Sequence, residues 1–164
     1  MNVSFLASEL GKWDQLDKAP QALILPFFAD ERPLRGAAGL CDWRLCGRLS
    51  RLLQGGRVKG SWGETTLYPS GPRLPFGKLV LFGLGPSEKF DEAAAREAGH
   101  SIGQAAARMR LQRYALVPPG RSTGRLSARR ALELYLASAD PAAQIVVVES
   151  TAGQKEAAEL ARQK

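Results

Sequence analysis

The side chains best suited to chemistry in this sequence are cationic and lie close together. In "PPGRSTGRLS", Pro118 to Ser127, the residues Arg121, Ser122, Thr123, Gly124 and Arg125 follow an apolar run and precede a helical pattern that starts at Ser127. A strand that turns into a helix this way leaves backbone N–H groups pointing outward, and flanking guanidiniums favour an anion such as phosphate there. No Asp or Glu occurs between Ala98 and Leu132, whereas Arg108, Arg110, Arg113, Arg121, Arg125, Arg129 and Arg130 do; these seven equal the whole formal charge of +7. The basicity therefore belongs to one loop and the ends of its flanking helices. Two readings stand: contact with an anionic partner, or a solvated face that serves solubility.

Other chemistries lack their residues. The single histidine, His100, has no carboxylate pair at helical spacing to complete a metal set, so no metal or cofactor is expected. Ser61, Ser122 and Ser127 have neither a nucleophile-elbow context nor an evident base. In "LVLFGLGPSEKF" the glycines Gly83 and Gly85 suggest a phosphate loop. The third glycine of a dinucleotide fingerprint is replaced by Glu88, Pro86 occupies the turn, and the Walker lysine is absent, so a structural turn is expected. Cys41 and Cys46 form neither a disulfide framework nor a zinc set and read as two buried thiols.

The elements that must position these residues are legible. At 164 residues and 45% hydrophobic content, one domain over 1–164 is expected. Strands are predicted at Val3–Leu6, Ala22–Phe28, Glu64–Tyr68, Lys78–Leu84, Tyr114–Pro118 and Gln144–Glu149, several of them continuously apolar, as strands covered on both faces are. Pro26 should end or bend the second. One helix is predicted through "DWRLCGRLSRLLQGG", with Ala38, Cys41, Leu45, Leu49 and Leu52 as its core stripe, Asp42 as a cap and Gly55-Gly56 as its end. A second buries Ala94, Ala98, Ile102, Ala105 and Met109, with Asp91 and Glu92 in its first turn. A third runs from a Ser127 cap through Leu136, and "TAGQ", Thr151 to Gln154, reads as the capping box of a terminal helix. No stretch has the length of a membrane span and the first residues do not pattern as a secretion signal, so a cytoplasmic, membrane-free protein is expected.

The succession "LRGAAGLCDWRLCGRLSRLL", "RVKGSWGETTLYP", "KLVLFGLGP" and an alanine-rich helix resembles the N-terminal domain of the cytosolic leucyl aminopeptidases. The shared features are the "KG..GE" segment at Lys59, Gly60, Gly63 and Glu64 and the "GLG" strand end at Gly83 to Gly85. The resemblance spans almost the whole chain, and the helix of 151–164 looks like the start of the family's interdomain connector. It implies a macro-domain-like α/β fold, a mixed sheet sandwiched between helices in three layers. The family's metal ligands belong to a C-terminal domain and match no position here, so a module without peptidase activity is expected.

Macro domains hold ADP-ribose between a loop after an early strand and a glycine loop before a late helix. The matching stretches are Ala29–Leu40, which contributes Gly36 and Gly39, and Pro118–Ser127. The acidic adenine contact is replaced by Gln21 or its neighbours, and the asparagine loop reads "PFFAD". Three functions follow: an assembly or regulatory module beside a separately encoded peptidase subunit or in self-association, a module for a phosphorylated nucleotide or ADP-ribose, and nucleic-acid contact through the arginine segment.

Overall fold

The computed structural model describes residues 1–162. Strands β1 (Asn2–Ala7), β2 (Leu23–Phe27), β3 (Thr65–Tyr68), β4 (Leu79–Gly83), β5 (Arg113–Leu116) and β6 (Gln144–Glu149) form one sheet in the order β1-β6-β5-β2-β4-β3. All neighbours are parallel except β3, which runs antiparallel to β4 at an edge. The uniformly apolar strands divide their side chains between two cores. Ile24, Val80, Phe82, Ile145 and Val147 face α4 (Glu92–Arg108), α5 (Ala128–Leu136) and α6 (Thr151–Arg162). Leu23, Leu25, Leu79, Leu81, Val146 and Val148 face α1 (Leu10–Trp13), α2 (Gly36–Arg44) and α3 (Arg48–Gln54). Alternate residues point to opposite faces, so a strand covered on both sides must be apolar throughout. The expected three-layer arrangement is the observed one.

Pro26 does not end β2; it stays in register with Phe82 of β4. On the other side, however, pairing with β5 stops at Ile24–Leu116, two residues short of it. A proline has no N–H for the ladder, and beyond it β2 and β5 diverge. Their following helices pass to opposite faces, α2 below and α5 above. The divergence is thus a topological switch point, where α/β sheets place ligand crevices.

The single helix expected across 38–54 is two. Cys46 and Gly47 adopt positive φ values of 55° and 76°, which turn the chain between α2 and α3. Asp42 caps the second helix from the first: its carboxylate accepts the Ser50 N–H at 3.1 Å and the Ser50 hydroxyl. The break rotates the stripe, so Leu53 is buried in place of Leu52 and the Cys46 thiol is exposed, not buried. Cys41 is in the core, and burial pushes its thiol pKa up to about 12. On α4 Ala98 and Ile102 are buried as predicted, with Gly99 beside them, while Ala95 and Ala106 take the places of Ala94 and Ala105, and Met109 is half-buried; Asp91 caps the helix through the Ala94 N–H at 2.8 Å. Ser127 caps α5 as expected. The cap of α6 is Ser150, whose Oγ accepts the Gly153 N–H at 3.1 Å, rather than Thr151. The last two residues of the predicted 151–164 helix lie outside the described residues.

Candidate functional site

The crest of the sheet at the switch point is built from the loop after β2 and the loop after β5. These are the two stretches paired on sequence grounds, and they touch: Ser122 Oγ donates to Glu31 Oε1 at 2.8 Å. Glu31 is only 4% exposed and also accepts the Arg35 N–H at 3.3 Å. Burial pushes its carboxyl above the usual range, against the pull of these two bonds. At the far side, Arg121 meets Glu149 at the end of β6, with Nε–Oε2 at 2.7 Å and Nη2–Oε1 at 3.0 Å, and a third donation to the Leu126 carbonyl at 2.8 Å. Burial raises the Glu149 pKa, but the Arg121 guanidinium and the Ser150 donors outweigh it and the net shift is downward.

The loop therefore divides the crest into two cavities. One, of about 210 Å³, is lined by Gly36, Ala37, Arg121, Ser122 and Glu149 among others. The other, of about 260 Å³, is lined by Phe28, Asp30, Glu31, Arg32, Arg35, Ser87, Thr123 and Arg125. Arg121 is committed to Glu149. Arg32, Arg35 and Arg125 have no carboxylate within ion-pair distance among the described residues, and Arg125 reaches only Ser87 Oγ, at 3.5 Å. Ser87 is itself fixed by Asp30, which accepts its N–H at 2.7 Å and its hydroxyl at 2.5 Å; these bonds hold the Asp30 carboxyl below its usual range. Thr123 Oγ1 is shut off from solvent without a partner among the described residues. Among the described residues the N–H groups of Ser122 and Thr123 donate to nothing in the chain, whereas those of Arg121, Gly124 and Arg125 are taken by carbonyls of the same loop.

Of the predicted site residues, Arg121, Ser122 and Gly36 share the smaller cavity and Thr123 and Arg125 the larger. Gly124 lines neither, and Gly39 lies within α2, where an added Cβ would meet the Leu34 carbonyl at 2.6 Å. The arginine segment is not one face. Arg108 is the last residue of α4 and Arg110 follows it, Arg113 opens β5 at the opposite end of the sheet, Arg129 pairs with Glu159, and Arg130 pairs with Glu92 and Glu133. Sequence reasoning missed Glu31 and Glu149. The available signal for Glu149 was a carboxylate closing a wholly apolar strand.

The "GLG" strand end has no donors to offer a phosphate. Gly83, Leu84 and Gly85 N–H groups go to the carbonyls of Glu64, Phe27 and Gly60. Glu64 explains the "KG..GE" spacing: its Oε1 accepts the N–H groups of Lys59 and Gly60, both at 2.9 Å, and pins that loop over Gly83.

Residues 24–140 match the cytosol aminopeptidase family, N-terminal domain. The chain belongs to this family. A probable cytosol aminopeptidase of Synechocystis is 33% identical over 85 residues, 52% of this chain but 17% of that relative. The chain thus spans about one-sixth of the length of that relative. A mutant leucine aminopeptidase from tomato superposes over 98% of this chain and 36% of its own, with a TM-score of 0.60 and 13% identity. A Trypanosoma brucei macrodomain solved in complex with ADP gives a TM-score of 0.70 at 13% identity, over 96% of this chain and 68% of its own. The family's N-terminal domain here has the macrodomain fold. Among the described residues no three His, Cys, Asp or Glu side chains are placed to hold a metal, and no helix is long and apolar enough to cross a membrane.

Proposed function

We propose that this chain is a non-catalytic, regulatory binding module of the aminopeptidase family, and that its ligand is a small phosphate-bearing molecule held at the crest. The observation that carries the reading is the cavity of about 260 Å³ in which Arg32, Arg35 and Arg125, without ion-pair partners among the described residues, face a buried Glu31. Guanidiniums bind phosphate oxygens, and a carboxylate accepts from ligand hydroxyls. Each cavity falls short of the ~300 Å³ at which sites for drug-sized ligands begin. With the Ser122–Glu31 and Arg121–Glu149 bonds closing the space between them, the fit is to a nucleoside monophosphate or smaller rather than to a whole ADP-ribose. Calorimetric titration with inorganic phosphate, AMP, ADP and ADP-ribose tests this. AMP should bind best, Arg35→Gln with Arg125→Gln should abolish binding, and Arg121→Gln should affect it less. No heat with any ligand would overturn the reading. Metal-dependent aminoacyl hydrolysis that tracks the pure protein would overturn its non-catalytic part.

A second reading, an assembly part beside a peptidase subunit or a second copy, is favoured by the match to the N-terminal domain of much longer aminopeptidases. Co-elution with an aminopeptidase chain carrying the catalytic domain tests it. The nucleic-acid reading draws no support from the segment Ala98–Leu132, because its arginines are split between opposite ends of the sheet and three are ion-paired.

A further inference from the structure

A second acid-free stretch runs from Trp43 to Gly63 and carries Arg44, Arg48, Arg51, Arg57 and Lys59. Here the fold brings two of these arginines, Arg44 and Arg51, to one turn, where Arg73 joins them. Around the turn between α2 and α3, Arg51 Nη2 donates to the Cys46 carbonyl at 2.5 Å, and Arg73 comes from the loop after β3 to place Nη1 2.8 Å from Cys46 Sγ. Arg44 donates to the Arg73 carbonyl at 3.2 Å and to Asp14 at 2.7 and 3.1 Å. Arg44 alone of the three has a carboxylate partner among the described residues. Two guanidiniums thus converge on one turn, held by neutral acceptors, and repel each other, with no carboxylate paired to either among the described residues. Beside them stands Trp43, 73% exposed, whose carbonyl accepts the Cys46 N–H at 3.0 Å. An exposed indole on the same turn as two pinned arginines has the composition of an interface centre, where Trp and Arg carry most of the binding energy.

We propose that this face, Trp43 with Arg51 and Arg73, docks a protein partner that presents an acidic segment around an apolar seat for the indole. The inference rests on the assembly reading. Charge complementarity selects an acidic partner, and a compact cluster around one turn with a single aromatic suits a protein better than a strand of nucleic acid, which needs a track of cations and successive stacking platforms.

The test uses the full chain carrying Trp62→Phe, so that Trp43 is the exposed indole while Trp13 is buried. The probe is a synthetic helical peptide with Glu and Leu on one face, compared with its Gln-for-Glu copy, with oligothymidylate and with anionic lipid vesicles. The Glu peptide should saturate and shift Trp43 emission to the blue. In calorimetric titration, which needs no indole reporter, Trp43→Ala, or Arg51→Glu with Arg73→Glu, should weaken peptide binding by about tenfold or more, with circular dichroism unchanged, while Arg108→Glu with Arg110→Glu should not. Absence of saturable binding by the peptide, tighter binding of oligothymidylate or vesicles, or equal losses from both arginine pairs would overturn the proposal. Co-elution with an aminopeptidase chain that survives all these substitutions would sink this surface and leave the assembly reading standing. Peptide binding without such co-elution would support the surface and count against a peptidase as the partner.

Discussion

Arg121 and Glu149, 28 residues apart in sequence, form a two-bond ion pair that joins the β5–α5 loop to the root of α6. Glu149 Oε1 also accepts the Ser150 N–H at 2.8 Å, and its side chain lies so close to Gly153 that a Cβ there would come within 2.5 Å. The crest loop and the terminal helix are thereby one mechanical unit. Arg121→Gln leaves a nearly buried carboxylate without its counter-charge. Such losses cost ~3–5 kcal/mol in fully buried pairs; because Arg121 keeps some solvent contact, roughly 2–3 kcal/mol is expected in urea unfolding, with faster amide exchange in the first turn of α6. A change within experimental error would mean that water replaces the arginine without cost.

Gly83 is required by its neighbours rather than by its dihedral angles. A Cβ there would lie 2.0 Å from the Ser61 carbonyl oxygen and 2.6 Å from the Gly60 carbonyl carbon, both backbone atoms. Gly83→Ala must therefore push the Lys59–Glu64 loop away, and overpacking of this kind costs roughly 1–3 kcal/mol. Amide exchange should rise in edge strand β3, next to the loop, and not in β6. Uniform exchange across the sheet would refute the local account.

Leu49 is fully buried in the core beneath α3. Leu49→Ala should cost roughly 2–5 kcal/mol, the range for truncating a buried leucine. The neighbouring Leu52→Ala should cost less, because the break at Cys46–Gly47 turns that side chain partly outward. Chemical denaturation of the pair measures the difference; equal losses would restore the continuous helix.

What the sequence made legible follows from which forces are local. Runs such as "QIVVVE" and "ALILPFF" announce strands buried on both faces, so the central strands were readable from their composition; the half-exposed β1 and β3 were readable as short strand-like runs, and the three-layer arrangement through the resemblance. The kink at Cys46 was not, because Leu45 and Leu49 keep helical spacing across a turn whose left-handed residues only the three-dimensional path demands. The crest loops were readable as a pair through resemblance, but the fate of their side chains was not. Arg121 finds Glu149 and Ser122 finds Glu31 across 28 and 91 residues. No local pattern records such partners, and they alone decide which arginines stay free for a ligand.

The two crest carboxylates should respond to pH with opposite sign. Burial raises the Glu31 pKa in the folded state above its ordinary value of 4.5, so the folded chain holds that proton more tightly than the unfolded one. Its contribution to stability is complete below 4.5 and is lost as the pH rises through the folded value. The Glu149 pKa is lowered, so its contribution is complete above 4.5 and is lost as the pH falls through the folded value. Glu31→Gln keeps an acceptor for Ser122 without a charge to bury. Relative to the native chain it should gain stability as the pH rises from about 4 toward 7. Glu149→Gln should behave conversely: its deficit is greatest near neutrality and shrinks on acidification, because the native chain is then losing the same ion pair. Urea midpoints measured across that range for the native chain and both variants separate the two effects. Parallel pH curves for the two variants would show that the carboxylates share one environment, and the division of the crest into a free cavity and a tied one would fall with that result.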